Sequence, residues 1–199
     1  TMKAAWLGIC ATLMVGCSGL ASPPPKRIAA IVTEYRHNSH ADVIVGRLVE
    51  SHTLDGKGEF PNLKLASLYT DQVPSNDTSR ALMKQHDIPI YDKIEDALTL
   101  GTGKLAVDGV LLVAEHGKYL KNETGNVIWP KRRMFMAITK VFRDSKASVP
   151  VFCDKHLADN WHDAKWFHQT ARELKVPLMA GSSLPVLWRK PSVDVKRGS

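Results

Sequence analysis

The chain has 199 residues, 44% of them apolar, and a formal net charge of +7. That length fits one ordinary domain with short extras, and that apolar share is enough for a core, which excludes a largely disordered chain. The positive surplus is local, with seven basic against two acidic residues from Lys121 to Lys146 and four against Asp194 from Arg189 to Arg197. No aromatic-interleaved RNA motif or helix-turn-helix pattern accompanies these runs, so nucleic acid is not an expected partner.

Residues 1–25 read as an export segment. Lys3 supplies the positive start, Ala4 to Gly16 is apolar apart from Thr12, and Ser18, Ser22 and Pro23 to Pro25 form the exit. Within it, "LMVGC" (Leu13 to Cys17) resembles the lipobox of bacterial lipoproteins, which makes Cys17 the expected lipid-bearing residue and the membrane an expected contact. Cys10 would leave with the signal, so Cys153 remains alone and no internal disulfide is expected; it reads as a core thiol.

Residues 26–184 then alternate strand and helix. "RIAAIV" (Arg27 to Val32) is a β-branched apolar run that predicts a buried strand. "SHADVIVGRLVESH" predicts a helix capped by Ser39, with Ala41, Ile44, Val45 and Leu48 on one face. A glycine-bearing loop leads to a second strand at Leu63 to Thr70, and "SNDTSRALMKQHD" to a helix ending near His86. "IEDALTL" predicts a short helix and "LAVDGVLLVA" (Leu105 to Ala114) the most apolar strand. Pro130 opens a basic helix, "VPVFC" is a strand, Trp161 to Leu174 a helix with Trp161 and Trp166 packing on its apolar face, and "PLMAG" a last strand. Residues 185–199 form a basic tail. The alternation predicts an α/β fold, a Rossmann-like doubly wound and mostly parallel sheet with helices on both faces.

In such a fold the first strand-to-helix turn cradles a dinucleotide pyrophosphate through glycine backbone and helix amides. Here that turn is "TEYRHNSH", Thr33 to His40, without glycine. His37 with His40, and His156 with His162 and His168, match no standard ligand spacing, so no metal is expected.

"PIYDKIEDALTLGTGKLAVDGVLLVAEHG" and "VPVFCDKHLADNWHDAKWFHQTARELKVPLMAGSS" together resemble the amino-terminal domain of the glucose-fructose oxidoreductase and inositol dehydrogenase family (Gfo/Idh/MocA). The sharpest part is "CDKHLA", where the family shows Cys-Glu-Lys-Pro-Leu-Ala. The resemblance covers Arg27 to Ser183 and implies NAD or NADP as cofactor and a sugar or cyclitol as substrate. It places Lys155 near the nicotinamide and the reacting hydroxyl, Asp154 at the family glutamate and His156 at the family proline, these three being the expected catalytic positions. It also implies cofactor contacts from Thr33, Tyr35, Arg36 and Asn38 in the first turn, from Asp71 to the adenosine ribose, and from Glu115 and His116 past the fourth strand. The family's second, sheet-rich domain has no counterpart before Ser199. Two functions therefore stay open, an oxidoreductase cofactor domain and an exported, non-catalytic binding lipoprotein; a homo-oligomer is compatible with either.

Overall fold

The computed structural model describes residues 23–50 and 60–182. The export segment with Cys17, residues 51–59 and the tail from 183 lie outside the described residues. The elements are β1 (Lys26–Val32), α1 (His40–Val45), β2 (Leu63–Thr70), α2 (Ser79–Gln85), β3 (Ile90–Tyr91), α3 (Ile94–Thr99), β4 (Gly109–Val113), α4 (Lys131–Ser145), β5 (Val151–Asp154), α5 (Trp161–Glu173) and β6 (Leu178–Gly181). All six strands pair in parallel in the order β3-β2-β1-β4-β5-β6.

Alternate residues of β1 feed two cores, as the period of two in a strand requires. Ala30 and Val32 pack with Ala41 and Val45 of α1 and Met83 of α2. Ala29 and Ile31 share the other cluster with Leu98 of α3, Phe135 and Ile138 of α4, and Phe167 of α5. Both faces of the central strands are thus covered, which is why they read as continuous apolar runs. Cys153 is buried in the second cluster, and burial pushes its thiol up to about 11, as suits a packing residue.

Three elements and one side chain differ from their sequence expectations. The two-residue β3 falls between helices and is too short to carry a period. β4 starts at Gly109 because the residues before it are tied elsewhere. The Leu105 amide donates to Ser145 Oγ at 3.0 Å and Asp108 accepts from the Arg27 amide at 2.7 Å. Helix α1 is six residues long and passes at Gly46 into a 3-10 turn through Leu48. Trp161 does not pack; it is 74% exposed on the first turn of α5. Trp166 does pack, with its ring edge-on to Phe135 and Phe167 and the Arg132 guanidinium over it. No helix among the described residues is long and apolar enough to cross a membrane.

The strand order reverses between β1 and β4, so their carboxyl ends form the crevice where open α/β sheets bind ligands. Register sets which residues share it. Val32 is level with Thr70 and with Val113, and Leu112 with Cys153. The residues just past the four central strands, at Thr33, Asp71, Glu115 and Lys155, therefore stand along one edge.

Candidate functional site

The first turn is built from its own hydrogen bonds. Ser39 Oγ accepts from the Arg36 and Asp42 amides, each at 3.2 Å, and Asp42 accepts from the Asn38 amide at 2.8 Å. Asn38 has a left-handed φ of 58°, a conformation asparagine tolerates better than most residues. Thr33 is buried; its amide donates to the Val113 carbonyl, and its hydroxyl accepts the His116 amide at 3.2 Å, which ties this turn to the end of β4. Glu34 pairs with Arg36 at 3.4 Å, so its charge is neutralised within the turn. Tyr35 differs from its expected role. It is fully buried in the core under α1 and α2, its hydroxyl has no partner among the described residues, and burial pushes its phenol well above the ordinary value. It holds the turn from beneath, with its side chain in the core.

Past β2, Asp71 is saturated. Oδ1 accepts from Tyr69 at 2.6 Å and Arg133 at 2.8 Å, and Oδ2 from Tyr119 at 2.7 Å and Arg133 at 2.7 Å. Burial alone would raise its carboxyl, but the bonds from Arg133, Tyr69 and Tyr119 hold it below the ordinary value. Gln72 beside it exchanges two hydrogen bonds with the backbone of Lys118. The segment after β4 is thus moored to the end of β2.

Past β4 and β5 the charges are paired but not exhausted. Glu115 is buried and bridges two lysines: Oε1 accepts from Lys131, and Oε2 from Lys155 at 3.2 Å. Lys131, the first residue of α4, is only 1% exposed and also donates to the carbonyls of Asp154, at 3.1 Å, and His156. It clamps β4 to the turn that carries Lys155. Asp154 is buried rather than open to a ligand. Its Oδ2 meets His40 Nδ1 at 2.5 Å, and its Oδ1 has no partner among the described residues, so its part is to hold the imidazole. With Nδ1–H given to Asp154, a neutral His40 presents Nε2 as an acceptor. His116 lies edge-on to His40 at 5.0 Å, and burial first, then Arg36 and His40, lower its pKa below the ordinary value. The Lys155 side chain is 36% exposed, the His156 ring is exposed, and the peptide between them is cis.

The fold therefore brings Thr33, Arg36, Glu115, His116, Asp154 and Lys155 to one crevice, and turns Tyr35 away from it. Sequence reasoning missed Lys131, Tyr119 and Arg133, and weighed His40 only as a metal ligand, which its spacing set aside. A signal for Lys131 existed, since it directly follows Pro130 and the first residue of the helix after β4 faces this edge. Within a basic run it looked like one more solvated charge.

A dinucleotide fits this donor set at one end. Arg36, His116 and Lys155 offer donors toward an anionic group at this crevice. The adenosine end does not fit, because Asp71 has no oxygen left for a ribose, and the Arg36, Asn38 and Ser39 amides that would face a pyrophosphate are spent on Ser39, Asp42 and Arg36.

No family model matches the chain, and no curated protein does. Solved structures do. The chain is similar to GenD2 from gentamicin A biosynthesis in complex with NAD, at 14% identity and a TM-score of 0.51, over 80% of this chain and 35% of that one. It also matches biliverdin reductase from Synechocystis, in complex with biliverdin and NADP+, at 16% identity and 0.47, over 78% and 37%. An NAD binding oxidoreductase from Klebsiella pneumoniae aligns at 16% and 0.46, over 79% and 34%. The chain spans about a third of the length of these structures. The resemblance read from "CDKHLA" thus holds at the level of fold: this is a Rossmann-like α/β domain with a six-stranded parallel sheet.

Proposed function

We propose that the chain is the NAD(P)-binding domain of an oxidoreductase of the Gfo/Idh/MocA kind, and that Lys155 handles the proton of a sugar or cyclitol hydroxyl. The observation that carries this is the Lys155 ammonium, held by Glu115 at 3.2 Å on the rim of the switch-point crevice and still one-third open to a ligand. A bound nicotinamide would supply the hydride acceptor there. Arg36 and His116 would hold the cofactor's anionic part. Lys155 Nζ takes the hydroxyl proton, and Glu115 Oε2 accepts the one the ammonium already carries. Lys131 and Asp154 are positioning residues.

Assays of the full chain, with its natural partner or extension, on NAD and NADP with a polyol panel test this. Lys155→Met should lower turnover about a hundredfold or more while leaving cofactor affinity nearly unchanged. Full activity in that variant removes Lys155 from the chemistry. Absence of dehydrogenase activity on every polyol favours the second function, a binding module without catalysis, which the saturated Asp71 supports. In either case we propose export and lipid attachment at Cys17. An intact mass lacking an acyl group, or processing unaltered in Cys17→Ser, would refute the attachment.

A further inference from the structure

A cavity of about 440 Å³ opens at His156, the residue after Lys155, lined by Asn122, Asn126, Trp129, His156 and Asp159, with Val127 and Ala158 as its apolar part. One wall is a small hairpin in which Lys121 pairs with Val127. Asn122 Oδ1 fixes its tip by accepting from the amides of Thr124 and Asn126 at 3.1 and 2.8 Å, and Gly125 takes the positive φ of 84° that the turn requires. The other wall is the turn between β5 and α5. The two are fastened where the Trp129 amide donates to Asp159 Oδ2 at 2.7 Å. Lys131 holds the His156 carbonyl, and through Glu115 it is joined to Lys155. The cavity is therefore pre-formed and rigidly linked to the reactive lysine, so binding there loses little ordering entropy.

Its chemistry is specific. No lysine or arginine lines it, which argues against a phosphate or carboxylate ligand. Asn122 Oδ1 is spent on Thr124 and Asn126, and Asn126 Nδ2 donates to Thr124 Oγ1; Asn122 Nδ2, Asn126 Oδ1, the His156 imidazole and the Asp159 carboxylate supply donors and acceptors, and an indole offers an apolar surface with a polar edge. Asp159 Oδ1 takes no donor from the described protein. Hydroxyl groups on a ring with C–H faces match this set, and the volume lies within the range of small-ligand clefts, roughly 300–1,000 Å³.

We infer that the cavity between the Lys121–Val127 hairpin and the β5–α5 turn is a binding subsite for a neutral, polyhydroxylated ring, the part of the ligand remote from Lys155. The inference rests on the sugar or cyclitol function proposed above and places part of its recognition within this domain.

The test is calorimetry or ligand-observed NMR on the full chain, with D-glucose, cellobiose and myo-inositol as probes. At least one probe should bind. Asn126→Ala and His156→Ala should each weaken it about tenfold, the worth of one or two hydrogen bonds. Asp159→Asn keeps an acceptor for the Trp129 amide and separates loss of charge from loss of shape; it should weaken binding by several-fold. That pattern without any dehydrogenase activity keeps the subsite and discards the oxidoreductase. Lack of binding by all three probes, or equal binding by wild type and the three cavity variants, overturns the subsite even if Lys155 proves catalytic.

Discussion

Asp71 past β2 and Glu115 past β4 stand at the same edge of one sheet, and each meets cationic side chains, yet their surroundings differ. Asp71 is closed by two phenols and a guanidinium from its own chain, leaving neither oxygen open. Glu115 is deeper, but one of its two partners, Lys155, remains partly exposed, and the neighbouring Asp154 keeps a buried oxygen without a donor. A site needs unspent hydrogen-bonding capacity as well as charge. The β4–β5 end has it and the β2 end does not, although both ends have the residue types a dinucleotide domain uses.

The comparison breaks most sharply at Lys131. Removing one member of a buried ion pair leaves the other charge uncompensated and costs about 3–5 kcal/mol. Lys131→Met should therefore destabilise the chain by about that much in urea denaturation. Pairing it with Glu115→Gln should recover part of this, because the buried carboxylate, left with only the half-buried Lys155 as its partner, is gone. The equivalent change at the other end, Arg133→Gln, should cost only about 1 kcal/mol, since Arg133 is more than half exposed and Asp71 keeps both phenols. Equal costs at the two ends would mean that the depth of Glu115 does not matter energetically.

A smaller effect concerns ligand affinity. If Asp71 fails to hold a ribose only because Tyr119 and Arg133 occupy it, then Tyr119→Phe with Arg133→Gln should tighten NAD binding about tenfold, near the worth of one charge-assisted hydrogen bond. Calorimetry on the full chain measures it. Unchanged affinity would place the limit at the glycine-free first turn instead.

Much of the fold was legible, and the reasons are physical. β2 spans Leu63–Thr70 as read, and the Ser39 cap of α1 forms, because a β-branched run and a capping hydroxyl act locally. The fold class followed from alternation and the position of Lys155 from "CDKHLA". What stayed hidden depends on contacts between distant segments. Tyr35 lies in a turn of polar residues, and only the packing of α1 and α2 shows that it faces the core. Asp71 reads as a free carboxylate until Tyr119, 48 residues on, and Arg133, 62 on, are folded over it. Lys131 is indistinguishable from Arg132 and Arg133 in a charge run, and the helix start alone separates the buried cation from the exposed ones.

The smallest expected effect is the pH dependence of the Asp71 cluster, and its sign is fixed by the direction of the shift. Arg133, Tyr69 and Tyr119 hold the folded carboxyl below its ordinary value of 3.8 against the opposing effect of burial. A depressed acid binds its proton less readily in the folded than in the unfolded chain. Its contribution to stability is therefore complete above 3.8 and fades as the pH falls through the folded pKa. Without Arg133 the remaining phenols oppose burial with less help, so the depression shrinks. The stability difference between wild type and Arg133→Gln should accordingly be greatest near about pH 6, where Asp71 is ionised in both states, and should narrow toward about pH 3. Urea denaturation of the two proteins across that interval reads the difference directly. A gap that widens on acidification would show that Arg133 raises the Asp71 carboxyl instead of helping to lower it, and the contrast with Glu115 could not then rest on the Arg133 bonds.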